Sequence, residues 1–407
     1  MRSPKANVRL TNCNTARRSP RLTAAPRCGH NEIRKEVPVC KRNQSLLLAA
    51  GHQIAYQLRD AANVTLVDPK TYWEVPMAVP RLLVDPDGLA ARIPYDSFLG
   101  MAQHIQGKVV RLTDHSAHVA LADGREDTVS FDYAVIATGS AYIDPLIKAQ
   151  APLGVSRAAE IKSMNQRLRE ARSVVVAGGG PVGIEIAAES CEAFPGLAIT
   201  LVHSGKSILN NAPDKFPRWA EKDLRAKGVK FALDDRVVSP APGEQPQDGK
   251  VITQSGLVLD ADVVIWAAGA KPVTDFVARS WPDAVQRDGL ITVDHYLRVK
   301  GHETVFAAGD ITHLPENRLA IVAGLHAKSI VTNIRALIAA KPSSQIRLKP
   351  YKPANPGKGM GKIMIVTLGR NDGLTSLPFG QFRASFFARK IKSRDMLVGL
   401  SRKAVGL

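Results

Sequence analysis

The tightest constraint on this chain is a run of glycines. Gly178-Gly179-Gly180-Pro181-Val182-Gly183 follows the β-branched run Val174–Ala177 and opens a helical pattern that continues to Ala193. In a G-x-G-x-x-G turn the first glycine allows the tight bend and the second lets backbone approach a pyrophosphate. The third lets the helix pack closely on the strand. The helix N-terminus then offers unpaired N–H groups to the phosphates. The next strand, Ala198–Val202, follows after Pro195-Gly196, so strand, turn, helix and strand stand in order. A glycine-rich turn without a ligand is the alternative, but the full context favours a Rossmann dinucleotide-binding unit.

From Ser45 onward, short β-branched runs alternate with helical patterns, the signature of an α/β chain with parallel sheets. Val64–Val67 reads as a strand ending at Asp68. Val109–Leu112, His118–Leu121 and Thr128–Phe131 read as an antiparallel meander turning at Asp123-Gly124. Tyr133–Ala137 enters Thr138-Gly139, Asp262–Ala268 ends in Gly269, and Thr304–Ala308 leads to Gly309-Asp310. Ala320–Ala340 reads as a long, largely apolar helix. The two halves echo one another, which predicts two Rossmann-like dinucleotide-binding domains and a small basic C-terminal segment.

After the second glycine turn, the next strand ends in Val202-His203-Ser204, without the acid that would grip a ribose and repel a 2′-phosphate. His203 and Lys206 therefore leave NADPH open alongside NADH. Glu185, on the first helical turn, either balances charge along the helix or touches the nicotinamide end.

The first half departs from this pattern. Gly51, followed by Ala55 and Leu58, matches the helix that continues from a third glycine, and Asp68 stands where a ribose is held. Counting back from Gly51 puts Leu46 and Leu48 at the first two glycine positions, and Cys40–Ser45 upstream is no buried strand. Leucine side chains there would block a pyrophosphate. Two explanations stay open: a loss of flavin binding, or a native N-terminus other than residues 1–45.

Charge is segregated. The formal net charge is +18, with +9 in residues 1–45, +11 in 345–407 and a nearly neutral body between. An enzyme with basic ends fits better than a nucleic-acid groove, so no nucleic acid is expected. Cys13, Cys28, Cys40 and Cys191 form no C-x-x-C pair. They predict a reducing compartment, with Cys191 an ordinary buried thiol. No metal site is expected. No apolar run reaches bilayer length, so the chain reads as cytoplasmic, soluble or peripheral. Residues 1–45 are basic and Pro-broken, and are expected to be disordered.

Several strings together resemble a known family. They are Ala137-Thr138-Gly139, the Gly178 turn with Glu185, Trp266-Ala267-Ala268-Gly269 and Val305–Asp310. More specific are Ala323-Gly324-Leu325-His326-Ala327, Leu368–Gly373 and Lys392-Ser393-Arg394-Asp395. From Gly51 to Lys403 the chain resembles the two-dinucleotide-binding-domain flavoproteins, and within them the ferroptosis suppressor, apoptosis-inducing-factor-like NAD(P)H:quinone oxidoreductases. The resemblance implies an FAD-binding domain over 46–144 and 272–341, and an NAD(P)H-binding domain over 145–271. Residues 342–407 would face a quinone or a membrane.

It further implies that Asp68, Arg81, Val109 and Asp310 contact FAD, with Gly51, Gly139 and Gly309 among the cofactor-binding residues; His326 either sits by the flavin or, more commonly for a single histidine, is a packed core residue. Gly178, Gly180, Gly183, Glu185, His203 and Gly269 would serve NAD(P)H. Glu185 and Lys392 would be catalytic, Lys392 in the quinone-facing segment. Disulfide reductases of this class carry a cysteine pair that is absent between Asp68 and Val109, which argues against a dithiol substrate. Phe379, Phe382, Phe386 and Phe387 among Arg383, Arg389, Lys390 and Arg394 predict a helical segment with one aromatic face. Such a segment would either touch anionic lipid or pack on the flavin domain. Two other functions stay open: a ferredoxin reductase-like electron donor, and a non-catalytic nucleotide-binding relative.

Overall fold

The computed structural model describes residues 45–49, 51–148, 156–340, 346–354, 363–383 and 388–407. The basic segment up to residue 44 and the side chains of Phe386 and Phe387 lie outside that set. Two parallel sheets follow one another, the second inserted into the first. Strand β1 (Ser45–Ala49) and β2 (Asn63–Asp68) run parallel and are joined by helix α1 (His52–Leu58). Helix α2 (Val79–Val84) leads toward β3 (Gln103–Leu112), which lies parallel beside β2. The chain then folds back through β4 (Ser116–Leu121) and β5 (Glu126–Ser130) as an antiparallel meander turning at Gly124, φ 86°. Strand β6 (Tyr133–Ile136) returns to the free side of β1.

Helix α3 (Arg157–Glu170) opens the inserted unit. There β7 (Ser173–Ala177), α4 (Pro181–Ala193), β8 (Ala198–His203), α5 (Phe216–Ala226), β9 (Lys230–Leu233) and β10 (Val263–Trp266) follow in order. The sheet runs β9-β8-β7-β10, all parallel. Helix α6 (Asp275–Ser280) leads back, and β11 (Val305–Ala307) completes the first sheet as β11-β6-β1-β2-β3-β4-β5. Helix α7 (Ala320–Ala339) packs against α1. A three-stranded antiparallel sheet closes the chain: β12 (Met364–Thr367), β13 (Gly373–Leu377) and β14 (Gly380–Phe382). A π-helical turn, Arg389–Ser393, and helix α8 (Val398–Lys403) follow.

Three sequence expectations change. First, Leu46 and Leu48 do not sit in a phosphate turn. The central strand β1 runs through both to Ala49, with Leu48 in register with Leu66 and Val135. Alternation across the pleat sends Leu46 and Leu47 into opposite apolar cores, each 1% exposed. Gly51 is accordingly not a helical third glycine but the residue capping α1, in the left-handed region at φ 90°. Counting back from Gly51 misplaced the turn because leucines continue a strand as readily as they interrupt a glycine run.

Second, α7 has the length and composition to cross a bilayer, which no bare apolar run suggested. It instead buries Val322, His326, Ala327, Ile330, Val331, Asn333 and Ile334 in the protein. Third, Phe379 and Phe382 lie on the β13–β14 hairpin rather than on a helix, their rings 5.7 Å apart.

Leu46→Ala is expected to lower unfolding free energy by about 2–5 kcal/mol, the range for truncating a fully buried leucine. Urea denaturation checks this; a neutral result would return Leu46 to a solvent-facing turn.

Candidate functional site: two nucleotide turns and a carboxylate row

The three glycines of the second turn do different work. At Gly178, φ 128°, a Cβ would come 2.6 Å from the Ala267 carbonyl oxygen, so only glycine fits between β7 and β10. At Gly183 a Cβ would strike the Gly178 carbonyl, which is what lets α4 approach the turn. At Gly180 a Cβ would meet nothing within 4 Å. That residue borders open space just before the helix, the cradle a nucleotide pyrophosphate fills, so the residues present fit a dinucleotide. His203, at the end of β8, accepts the Gly179 N–H at Nδ1 (3.2 Å) and faces Asn210 Oδ1 through Nε2 at 3.3 Å. It thereby braces the turn. Gly269, φ 74°, ends the loop after β10 and packs beneath Ile143.

At the first site, the carboxyl ends of β2, β6 and β11 bring together Asp68, Gly139 and Gly309-Asp310. Asp68 is buried; one oxygen takes the Lys70 N–H (2.8 Å) and lies 3.0 Å from Lys70 Nζ, and the other accepts Tyr95 O–H at 2.9 Å. Asp310 Oδ2 accepts Ser140 O–H at 2.9 Å and lies 3.8 Å from Lys148 Nζ. Gly139 and Gly309 both have left-handed backbone, φ 65° and 77°. A small open pocket lies beside Asp310, bordered by Glu316, Asn317, Arg318 and His326.

His326, buried on α7, accepts the Gly309 N–H at Nδ1 (3.0 Å), so its proton sits on Nε2 facing Glu316 at 2.5 Å. Burial alone would raise the Glu316 carboxyl. Hydrogen bonds from His326, the Ala354 amide and Tyr351 instead hold it below the ordinary carboxylate range. His326 thus positions the Gly309-Asp310 turn. This ring of groups fits the flavin end of a dinucleotide, with only residues 50 and 51 between β1 and α1 where three glycines separate β7 from α4.

Between the two sites runs a row of carboxylates on α4. Glu185, Glu189 and Glu192 share one helix face by their i, i+4, i+7 spacing. Glu185, 3% exposed, accepts the Thr367 amide (2.9 Å) and Lys392 Nζ (2.5 Å) at one oxygen. Glu189 takes the Arg81 guanidinium in a bidentate pair, one arm at 2.7 Å, and Arg81 also donates to the Ser393 carbonyl. Glu192 binds Lys227 Nζ (2.9 Å) and the Arg370 amide (2.8 Å). Cys191 beside them is a quiet thiol, pushed up to about 11 by burial.

The predicted catalytic pair, Glu185 and Lys392, is therefore brought into direct contact across 207 residues of sequence. Arg81, expected to touch flavin, points away into the Glu189 pair. Val109 sits within β3 opposite Val119, on the meander and beyond the part of β3 that pairs with β2. Sequence reading missed Tyr142. Burial raises its hydroxyl pKa, and the charges of Asp310 and Glu185 raise it further. A tyrosine inside a loop carries no motif, and nothing in the sequence marked it.

The profile described as "Pyridine nucleotide-disulphide oxidoreductase" matches residues 49–327. The chain belongs to that family. It is an oxidoreductase that draws on FAD and NAD(P)H. Over 88% of its length it is 31% identical to ferroptosis suppressor protein 1 of Xenopus tropicalis, covering 93% of that protein. It is 29% identical, again over 88% of its length, to apoptosis-inducing factor homolog B of Dictyostelium discoideum, covering 95% of it. The fold is shared with NDH2 of Plasmodium falciparum, solved in complex with NADH, at TM-score 0.69 and 14% identity over 86% of this chain and 93% of that one.

Two expectations follow. Arg81→Ala leaves Glu189 as an uncompensated buried charge and is expected to cost about 3–5 kcal/mol in denaturant unfolding, more than Arg81→Ala in a Glu189→Gln background. His52, stacked on Trp73 at 3.6 Å, is lowered to about 3 by burial and by the Lys70 charge. The unfolded chain takes up that proton near pH 6.5 and the folded chain does not. Folding stability is therefore present in full above about pH 6.5 and falls toward pH 3. His52→Gln should flatten part of that slope in thermal melts across the window.

Proposed function

We propose that this chain oxidises NAD(P)H and delivers the electrons to a quinone-type acceptor. A flavin held at the first site would supply the redox chemistry between the nicotinamide hydride donor and the second acceptor. The observation that carries the reading is the Glu185–Lys392 contact, which fastens the C-terminal segment to helix α4 just past the Gly178–Gly183 turn. Gly180 leaves room for the nucleotide phosphates, and His203 braces the turn while offering no acid to repel a 2′-phosphate. Lys392 holds Glu185 in place and keeps a cation buried at the junction. The chain lacks any cysteine between Cys40 and Cys191, so a flavin-side dithiol relay has no residues to use.

Part of the basic C-terminal segment is spent internally: Lys392 on Glu185, Arg383 on Asp223 and Arg370 on Asp85. Phe379, Ile391 and Leu400 are exposed, along with Arg394 and Lys403. These suit a cytoplasmic enzyme that touches an anionic membrane surface peripherally.

Anaerobic addition of NADH should bleach the yellow protein, and a soluble quinone should restore the absorbance while a ferredoxin does not. Glu185→Ala is expected to slow the bleaching at least about tenfold, one lost charge-assisted contact, with flavin retained. Bleaching at the wild-type rate would remove Glu185 from the reaction, and reoxidation by ferredoxin alone would replace the quinone reading.

A further inference from the structure

The first nucleotide turn is poorer than the second. A single glycine precedes α1, and α1 has only seven residues, so its backbone brings little to an anionic ligand. The crevice around it already holds two carboxylates, Asp68 and Asp310. A pyrophosphate placed among them without compensation would meet like charge, and binding would be unfavourable.

The sheet order supplies the compensation. β1 lies between β2 and β6, with Ala49 in register with Val67 on one side and Ile136 on the other. Strands lie about 4.8 Å apart, so residues just past the ends of β2 and β6 flank whatever occupies the turn after β1. Two residues beyond β2 stands Lys70, its Nζ 3.0 Å from Asp68 Oδ1. Lys148 stands about a dozen residues past β6, but its side chain returns to that strand end: Nζ lies 3.0 Å from where a Cβ on Gly139 would be, 3.2 Å from Ser140 Oγ and 3.8 Å from Asp310 Oδ2. Both side chains are only partly exposed, 19% and 26%. The four charges pair one lysine to each aspartate.

We propose that Lys70 and Lys148 are the phosphate-binding cations of the first nucleotide site, closing from the two neighbouring strands on a turn that carries a single glycine. This assignment rests on the family's use of FAD, and it goes beyond the electron acceptor argued above. The electrostatics of the crevice agree with the placement. Burial lowers the Lys148 ammonium and the nearby Lys70 charge lowers it further, while Lys70 also contributes to lowering His52 at the start of α1. Lys70 is thus felt on both sides of the turn. Two ammonium groups that disfavour one another are relieved when an anion comes between them.

The test is equilibrium binding of FAD and of riboflavin, which lacks the phosphates, to flavin-stripped protein, followed by flavin fluorescence. Wild type is compared with Lys70→Met, Lys148→Met and Lys148→Arg. Each methionine variant should bind FAD at least about tenfold more weakly, the loss expected for one charge-assisted contact, and riboflavin within about twofold of wild type. The arginine variant should retain FAD. The salt dependence of FAD binding should also flatten in the methionine variants, an effect that a packing role would not produce. NADH binding at the Gly178–Gly183 turn serves as the control for folding. Equal weakening toward FAD and riboflavin, or unchanged FAD affinity in both methionine variants, overturns the assignment while leaving the flavin site standing. Wild-type protein that takes up no flavin overturns both.

Discussion

The buried carboxylate pair of α4, Glu185 and Glu189, is the interaction on which the rest of this structure depends. With the more exposed Glu192 further along the same face, these side chains meet cations and amides contributed by distant parts of the chain. Arg81 comes from α2, Thr367 from β12, Arg370 from the turn after it and Lys392 from the π-helical turn that follows the C-terminal sheet. Charges taken out of water need close, well-directed partners, and each broken pair leaves an ion in a low-dielectric interior. That requirement makes the row a registration device. The first unit, the inserted unit and the closing C-terminal segment meet in one arrangement because few others satisfy both buried carboxylates at once.

The two nucleotide sites solve the same problem by different means. At the second site, glycines give the backbone freedom to bend tightly at Gly178, and to leave space at Gly180. At the first, β1 carries large apolar side chains almost to the turn, and polar side chains gather around it from the ends of neighbouring strands. His326 adds a further layer by receiving the Gly309 amide, with its proton fixed by Glu316, which is in turn held by Tyr351 and Ala354. The segment around Tyr351 is tied a second time, through reciprocal hydrogen bonds between Asn333 and Lys349. The side-chain site depends on polar partners, and the backbone site on the absence of a Cβ at Gly178 and Gly183.

Much of this was legible from local signals. The glycine turn, the period-two runs and the acid closing β2 each follow from backbone sterics or pleat geometry within a few residues, and the fold class and the nicotinamide turn follow from them. Leu46 shows where local reading stops. A leucine before Gly51 is compatible with a blocked turn or with a buried strand, and only its neighbours Leu66 and Val135 across the sheet decide between them. Phe379 and Phe382 likewise fit a helical face by spacing, yet the hairpin they occupy is set by pairing between β13 and β14.

The Glu185–Lys392 contact marks the division most clearly. The sequence by itself determined that a dinucleotide turn is followed by a glutamate, and that a lysine stands in a distinctive string far downstream. Only the tertiary structure decided that the two meet, and that Arg81 turns to Glu189 instead of toward a flavin. Motifs encode what a short segment can do with its own backbone. Partner choice among charges hundreds of residues apart is settled by desolvation, which exists only once the chain has folded around them.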